Sequence, residues 1–268
     1  MNSEALAHRI RLQGVQCTHR SGASHIGSVL SVADILAVLY ADFLRYHPGE
    51  PKWPDRDICI LSKGHGALAL YATLAAVGFF PESDLESFYQ NGSPLLGHAS
   101  CHVPGVEFST GSLGHGIGAA VGFALGAKLD GKANRVVAIL GDGECNEGSV
   151  WEAAQSAAFF GLSNLTAIVD HNHLQSLDTC ENTMLVGTLA EKWAAFGWDV
   201  AEISGHDHDA LRSALTRPRS NRPLAVIAHT VKGKGVPFME NQVLWHYRFP
   251  HDGWEFDGAL AALKGETL

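Results

Sequence analysis

"VVAILGDGECNEGSVWEAA", residues 136 to 154, decides the fold. Five apolar residues run into Gly141-Asp142-Gly143, and a segment rich in Ala and Glu follows. A short apolar run ended by glycines reads as a buried strand, and its sequel reads as a helix. The same order recurs on both sides. "DICIL" (57 to 61) leads through "SKGHG" into "HGALALYATLAAVG", a helix closed by Gly78. Further strands are predicted at "NLTAIVDHN" (164 to 172), "WDVAEIS" and "PLAVIAHTVKGKG" (223 to 235), with helices at "TLAEKWAAFG" and "DHDALRSALTRP".

"STGSLGHGIGAAVGFALGAKLDG" (109 to 131) predicts a glycine-rich loop and an Ala/Gly-lined helix able to pack closely. Upstream, residues 4 to 19 carry helical spacing, and "SVADILAVLYADFL" predicts a helix with Ser31 as N-cap and Asp34 in its first turn. Strands alternating with helices imply right-handed βαβ units, hence an α/β fold with a mostly parallel sheet and helices on both faces. Ligands of such sheets collect at the C-terminal strand ends. Asp142, Asn172, His65 and the "HTVKGKG" loop all follow predicted strands. No repeat or low-complexity linker interrupts the chain, so residues 1–268 are expected to form one domain with a C-terminal tail at 245–268.

Composition narrows the function. At 46% hydrophobic residues, the 268-residue chain has enough apolar surface for a large core. Its longest apolar runs look too short and interrupted to span a bilayer, and no basic-then-apolar leader follows Met1, so a cytoplasmic protein without a membrane partner is expected. A net charge of −9 without a basic cluster argues against nucleic acid. Cys17, Cys59, Cys101, Cys145 and Cys180 are scattered and never in CxxC spacing, which predicts neither a disulfide framework nor a zinc site.

Gly-Asp-Gly alone is an ordinary turn sequence. Thirty residues after Asp142, however, Asn172 ends the next predicted strand, which places a carboxylate and an amide on adjacent strand ends. These are hard oxygen ligands suited to Mg²⁺ or Ca²⁺, and the main-chain carbonyl of Leu174 can supply a third. Glycines beside Asp142 let a diphosphate approach the backbone, and a helix starting near Glu147 is expected to aim its amides at it. Neither a GxxxxGK[ST] loop nor a GxGxxG turn after the first strand occurs.

Gly-Asp-Gly followed after about thirty residues by Asn resembles the thiamine diphosphate signature. Its flanks resemble transketolase: "SGASHIGSVLSVADILAVLY", "DRDICILSKGHGALALYATLA", "GHAS", "GVEFSTGSLGHGIGAAVGFALGAK", "GDGECNEGSVWEAA" and "HTVKGKGVPFMENQVLWH" follow the N-terminal, diphosphate-binding domain of that family in order. The resemblance implies the thiamine diphosphate-binding fold. It implies a divalent metal, Mg²⁺ or else Ca²⁺ or Mn²⁺, on Asp142, Asn172 and Leu174, with Gly143, His65 and His246 on the diphosphate and Glu144 in the cofactor-binding set. Gly111, Ser112 and Leu113 match the family's "TGPLGQG" loop beneath the cofactor rings. His25, His65, His98 and His246 match histidines that move protons and grip sugar hydroxyls. Glu147 and Glu152 match glutamates buried at the family's dimer interface.

In transketolases the glutamate that activates the cofactor belongs to a following domain, which is not expected within residues 1–268. The resemblance is therefore to the N-terminal subunit of a split transketolase, partnered by a separate C-terminal subunit in an α₂β₂ assembly. It would transfer a two-carbon ketol unit from a ketose to an aldose, on sugar or sugar-phosphate substrates. A 2-oxoacid decarboxylase or acyl-transfer subunit, and a non-catalytic cofactor-binding subunit, are the alternatives. "SHIGS" replaces the family's "GHPGG" or "GHPGA", so Ile26 stands for a proline, and "NHLQSLD" lacks a common glycine. Both departures fall near the expected substrate channel.

Overall fold

A computed structural model describes residues 1–184 and 186–266 of the chain. Among them five strands pair in parallel: β1 (Ile58–Leu61), β2 (Val136–Gly141), β3 (Leu165–His171), β4 (Asp199–Ser204) and β5 (Leu224–His229), in the order β1-β2-β3-β5-β4. The helices are α1 (Ser3–Ser21), α2 (Ile26–Val38), α3 (Ala67–Ala76), α4 (Gly116–Leu129), α5 (Gly148–Phe159), α6 (Cys180–Thr183), α7 (Leu189–Ala195), α8 (His208–Thr216) and α9 (Trp254–Lys264).

The period of two along each strand assigns these helices to two layers. Val137, Ile139, Ile168 and Val226 join the core formed with α1, α2, α3 and α8, while Val136, Ala138, Leu140, Ala167 and Val169 join the core formed with α4, α5 and α7. Both faces of β2 and β3 are thus covered, which is why their sequences are unbroken apolar runs. The C-terminal segment returns to α1, where the His19 ring stacks on Phe256 of α9 at 3.7 Å.

Two local expectations are corrected. Helix α2 opens at Ile26, not after Ser31, so Ser31 and Asp34 lie in its interior. Their polar groups are satisfied by tertiary partners: Ser31 Oγ donates to Asp170 at 2.6 Å, and Asp34 meets Arg11, His206 and His208. With its π-helical extension at Leu39–Phe43, the run Ile26–Phe43 is long and apolar enough to cross a membrane, yet 89% of it is buried inside the protein. It is a core helix. On α4 the close packing falls to Gly116, Ala120 and Ala124, whereas among the described residues nothing lies within 4 Å of a Cβ at Gly118, Gly122 or Gly126. A 3-10 turn at Gly143–Asn146 leads into α5, which begins at Gly148 with Glu147 as its N-cap, where the sequence placed its start.

Register sets up the site. Gly141 pairs with Asp170 and His171 with His229, so the residues that leave β2, β3 and β5 emerge side by side at one sheet edge.

Candidate functional site

At that edge lies a cleft of about 370 Å³. Asp142 leaves β2, Asn172 and Leu174 leave β3, and Lys232 leaves β5, all lining one wall. His25, His65, His98 and His246 line another, although they come from four segments far apart in sequence. His25 is at their centre, its ring centroid 5.1 Å from that of His65, 6.1 Å from His98 and 5.2 Å from His246. A larger hollow of about 1070 Å³, between residues 50–56 and 101–107, is an open groove without any of these groups.

Each oxygen expected to bind a metal is fixed by a donor. Asp142 Oδ1 accepts from the Gly143 amide at 2.8 Å and Oδ2 from the His173 amide at 2.8 Å. Asn172 Oδ1 accepts from the Leu174 amide at 3.2 Å, and the Leu174 carbonyl accepts from Lys232 Nζ at 3.0 Å. Asp142 Oδ2 also lies 3.3 Å from His171 Nδ1, whereas Asp142 Oδ1, Asn172 Oδ1 and the Leu174 carbonyl each keep a lone pair for a cation. The donor set is oxygen only, which fits Mg²⁺ or Ca²⁺.

Two polar atoms in the cleft are buried without a partner: His25 Nδ1 and Ser28 Oγ. Leaving such atoms unpaired is costly, so both call for a ligand. His25 also has its backbone in the left-handed region (φ 75°), uncommon for a residue with a Cβ, and its amide donates to the His246 carbonyl at 3.0 Å.

His25, His65 and His246 are held neutral. Burial, then the charges of His98, Lys232 and Lys63, push His25 down to about 4. Burial and Lys232 push His246 to about 3, and burial with Lys63 holds His65 well below its usual range. Because the unfolded chain takes up these protons near pH 6.5 while the fold excludes them, stability is complete above that pH and falls as pH drops from 6.5 towards 4. Allowing for water around the half-buried rings, the melting temperature is expected to be on the order of 5 °C lower at pH 5 than at pH 7. Thermal unfolding checks this, and His25→Gln/His246→Gln should flatten the slope.

Of the expected cofactor residues, Gly111, Leu113, Gly143 and Glu144 line the cleft, whereas Ser112 is exposed outside it. The Glu144 carboxylate is spent as a clamp: it accepts from Ser62 Oγ, from the Gly114 amide at 2.9 Å and from the Gly141 amide at 3.1 Å. Ile26, the departure from the family's proline, is fully buried in the core, while Ser28 is the changed position that faces the cleft. Glu147 and Glu152 are exposed on the single chain.

Sequence reasoning missed Lys63 and Lys232, which are 1% exposed and line the cleft. Lys63 Nζ pairs with Asp170 at 2.6 Å; Lys232 Nζ lies 2.8 Å from His246 Nδ1, and burial and Lys63 lower Lys232 to about 8. Both follow a strand and adjoin a glycine, the signal that singled out His65.

Gly64 shows how tightly the 110–113 loop is held. A Cβ there would lie 2.7 Å from the Thr110 carbonyl carbon and 2.8 Å from the Gly111 nitrogen. Gly64→Ala should therefore displace the loop, cost about 1–3 kcal/mol in urea unfolding, and widen the cleft.

Comparison with known proteins points one way. The sequence model of the family described as "Transketolase, thiamine diphosphate binding domain" matches residues 2–247. The chain is 40% identical over 249 residues to one of the subunits of the apulose-4-phosphate transketolase of Phocaeicola vulgatus, covering 92% of this chain and 89% of that one. It is 37% identical over 264 residues to a 6-deoxy-6-sulfo-D-fructose transketolase subunit of Clostridium sp., covering 97% and 95%. The transketolase of Campylobacter jejuni superposes with a TM-score of 0.91 at 29% identity, covering 99% of this chain but 43% of its own length.

Proposed function

This chain belongs to the transketolase family as an N-terminal, thiamine diphosphate-binding subunit, and on that premise we propose that it transfers a two-carbon ketol unit together with a separate C-terminal subunit. In this reading residues 1–268 are one diphosphate-binding domain, two copies join two partner subunits, and each partner brings the activating glutamate. The observation that carries it is the pair of unpartnered buried atoms, His25 Nδ1 and Ser28 Oγ, in the cleft that also gathers the oxygens of Asp142, Asn172 and Leu174.

Asp142, Asn172 and the Leu174 carbonyl would hold a divalent ion, and Gly143, His65 and His246 the cofactor diphosphate. Lys63 and Lys232, which line the same cleft, would add positive charge near those phosphates. When bound, thiamine diphosphate supplies the nucleophilic carbon and the electron sink for breaking a carbon–carbon bond beside a ketone. His25, His65 and His246, neutral at pH 7, can accept or donate a proton at a substrate hydroxyl, and His98 completes the ring of contacts. Four imidazoles on one cleft suit a polyhydroxylated substrate. The two relatives are named for apulose-4-phosphate and for 6-deoxy-6-sulfo-D-fructose, so a ketose with a phosphate or sulfo group is the donor class proposed.

The test mixes the purified chain with the C-terminal subunit of a split transketolase and follows thiamine diphosphate binding and ketol transfer to an aldose. Both should require Mg²⁺ and both chains. Full activity from this chain by itself would sink the partner claim, and turnover unaffected by chelation would sink the metal.

A further inference from the structure

Beside the cleft, and not lining it, a second group of ligand-type side chains converges. His171 ends β3, His173 follows Asn172, and His229 ends β5 as the register partner of His171. One ring nitrogen from each lies within 4.8 Å of the other two. His171 also touches Asp142, but among the described residues the rings of His173 and His229 hydrogen-bond to no residue of the cleft, so the cofactor chemistry above does not account for the three together.

We propose that His171, His173 and His229 form a binding site for a divalent transition-metal ion of the Zn²⁺, Co²⁺ or Ni²⁺ type, separate from the metal of the diphosphate. Nitrogen donors favour such ions over Mg²⁺ or Ca²⁺, so the two sites differ in chemistry as well as place. Every ring also faces its own carboxylate. His171 Nδ1 lies 3.3 Å from Asp142 Oδ2, His229 Nε2 lies 3.1 Å from Glu202 Oε2, and His173 Nδ1 lies 3.8 Å from Glu181 Oε1. A histidine that binds metal through one nitrogen usually gives its other N–H to such a partner, which orients the ring and raises its basicity.

The backbone is bent to suit. His173 has φ 65°, a left-handed conformation that residues with a Cβ rarely adopt, and its ring lies 4.0 Å from that of His171 and 5.6 Å from that of His229. His171 is buried, but His173 and His229 are open to water, so an ion can approach and keep a coordination position for solvent. His171 also lies within the same distance of Asp142 and Cys180. That alternative set is wholly buried and would take Asp142 from the diphosphate metal, which favours the three histidines.

The test uses the full-length chain, free of any histidine tag, in saturating Mg²⁺. Co²⁺ is titrated and read by its visible absorption, and Zn²⁺ is then added in competition. One Co²⁺ per chain should bind with the spectrum of a nitrogen-rich, low-coordinate site, and Zn²⁺ should displace it. His173→Gln and His229→Gln, at solvent-facing positions, should each weaken binding by roughly 100-fold with unchanged melting temperature. Cys180→Ser and His47→Gln, the latter in the loop before β1, should leave it intact. Absence of saturable stoichiometric binding overturns the proposal. So does loss in Cys180→Ser with retention in both histidine variants, because the ion would then occupy the buried set.

Discussion

Asp170→Ala is expected to destabilise the protein by about 3–5 kcal/mol, seen as a large fall in the urea midpoint. Asp170 is 0% exposed at the end of β3, and its carboxylate holds Lys63 Nζ, Ser31 Oγ and Thr230 Oγ1. Burial by itself raises the pKa of such a group, yet the Lys63 charge and these hydrogen bonds hold it below the usual range. Truncation strands the Lys63 ammonium, only 1% exposed, without a counter-charge. Lys63→Met in the same chain as Asp170→Leu should recover most of the loss, because an apolar pair of similar volume replaces the ions. If the single substitution shifts stability by less than about 1 kcal/mol, the buried pair is not what anchors the cleft floor.

Asp142→Ala should lower the Mg²⁺-dependent affinity for thiamine diphosphate by roughly 100-fold or more, since even partners one step removed from a metal cost up to that factor. Isothermal titration with and without Mg²⁺ gives the answer. The alanine also removes acceptors for the Gly143 and His173 amides, so some loss of stability is expected. Asp142→Asn separates the two effects: it keeps an acceptor oxygen but drops the charge, and should keep the fold while losing the Mg²⁺ dependence. Cofactor affinity that is indifferent to both substitutions would remove Asp142 from the proposed metal set.

Much of this site is legible in the sequence because its geometry is periodic. Strands of the sheet are continuous apolar runs, and a parallel sheet gathers whatever follows them at one edge. Asp142, Asn172, His65 and the "HTVKGKG" loop are found by that rule alone, and adjacent pairing of β2 with β3 bears out the spacing between the first two. The four channel histidines follow from the family resemblance, and the cleft does gather all of them.

Where the sequence misled, a local rule lost to a distant partner. Ser31 before an apolar run has the form of an N-cap, but Asp170, 139 residues away, takes its hydroxyl, and the cap lies six residues earlier on His25 in the left-handed region. On α4 Gly116, Ala120 and Ala124 pack closely as expected, but among the described residues nothing lies within 4 Å of a Cβ at Gly118, Gly122 or Gly126. The sequence by itself determined the α/β class, the sheet edge that carries the chemistry and the oxygen ligands of the proposed metal, since each depends on spacing within one element or between neighbouring strands. Only the tertiary structure decided that Lys63 and Lys232 lie beneath the cleft, that Glu144 is a clamp and that three further histidines converge beside it. Such groupings depend on the crossing of segments tens of residues apart, and neither periodicity nor local propensity encodes that crossing.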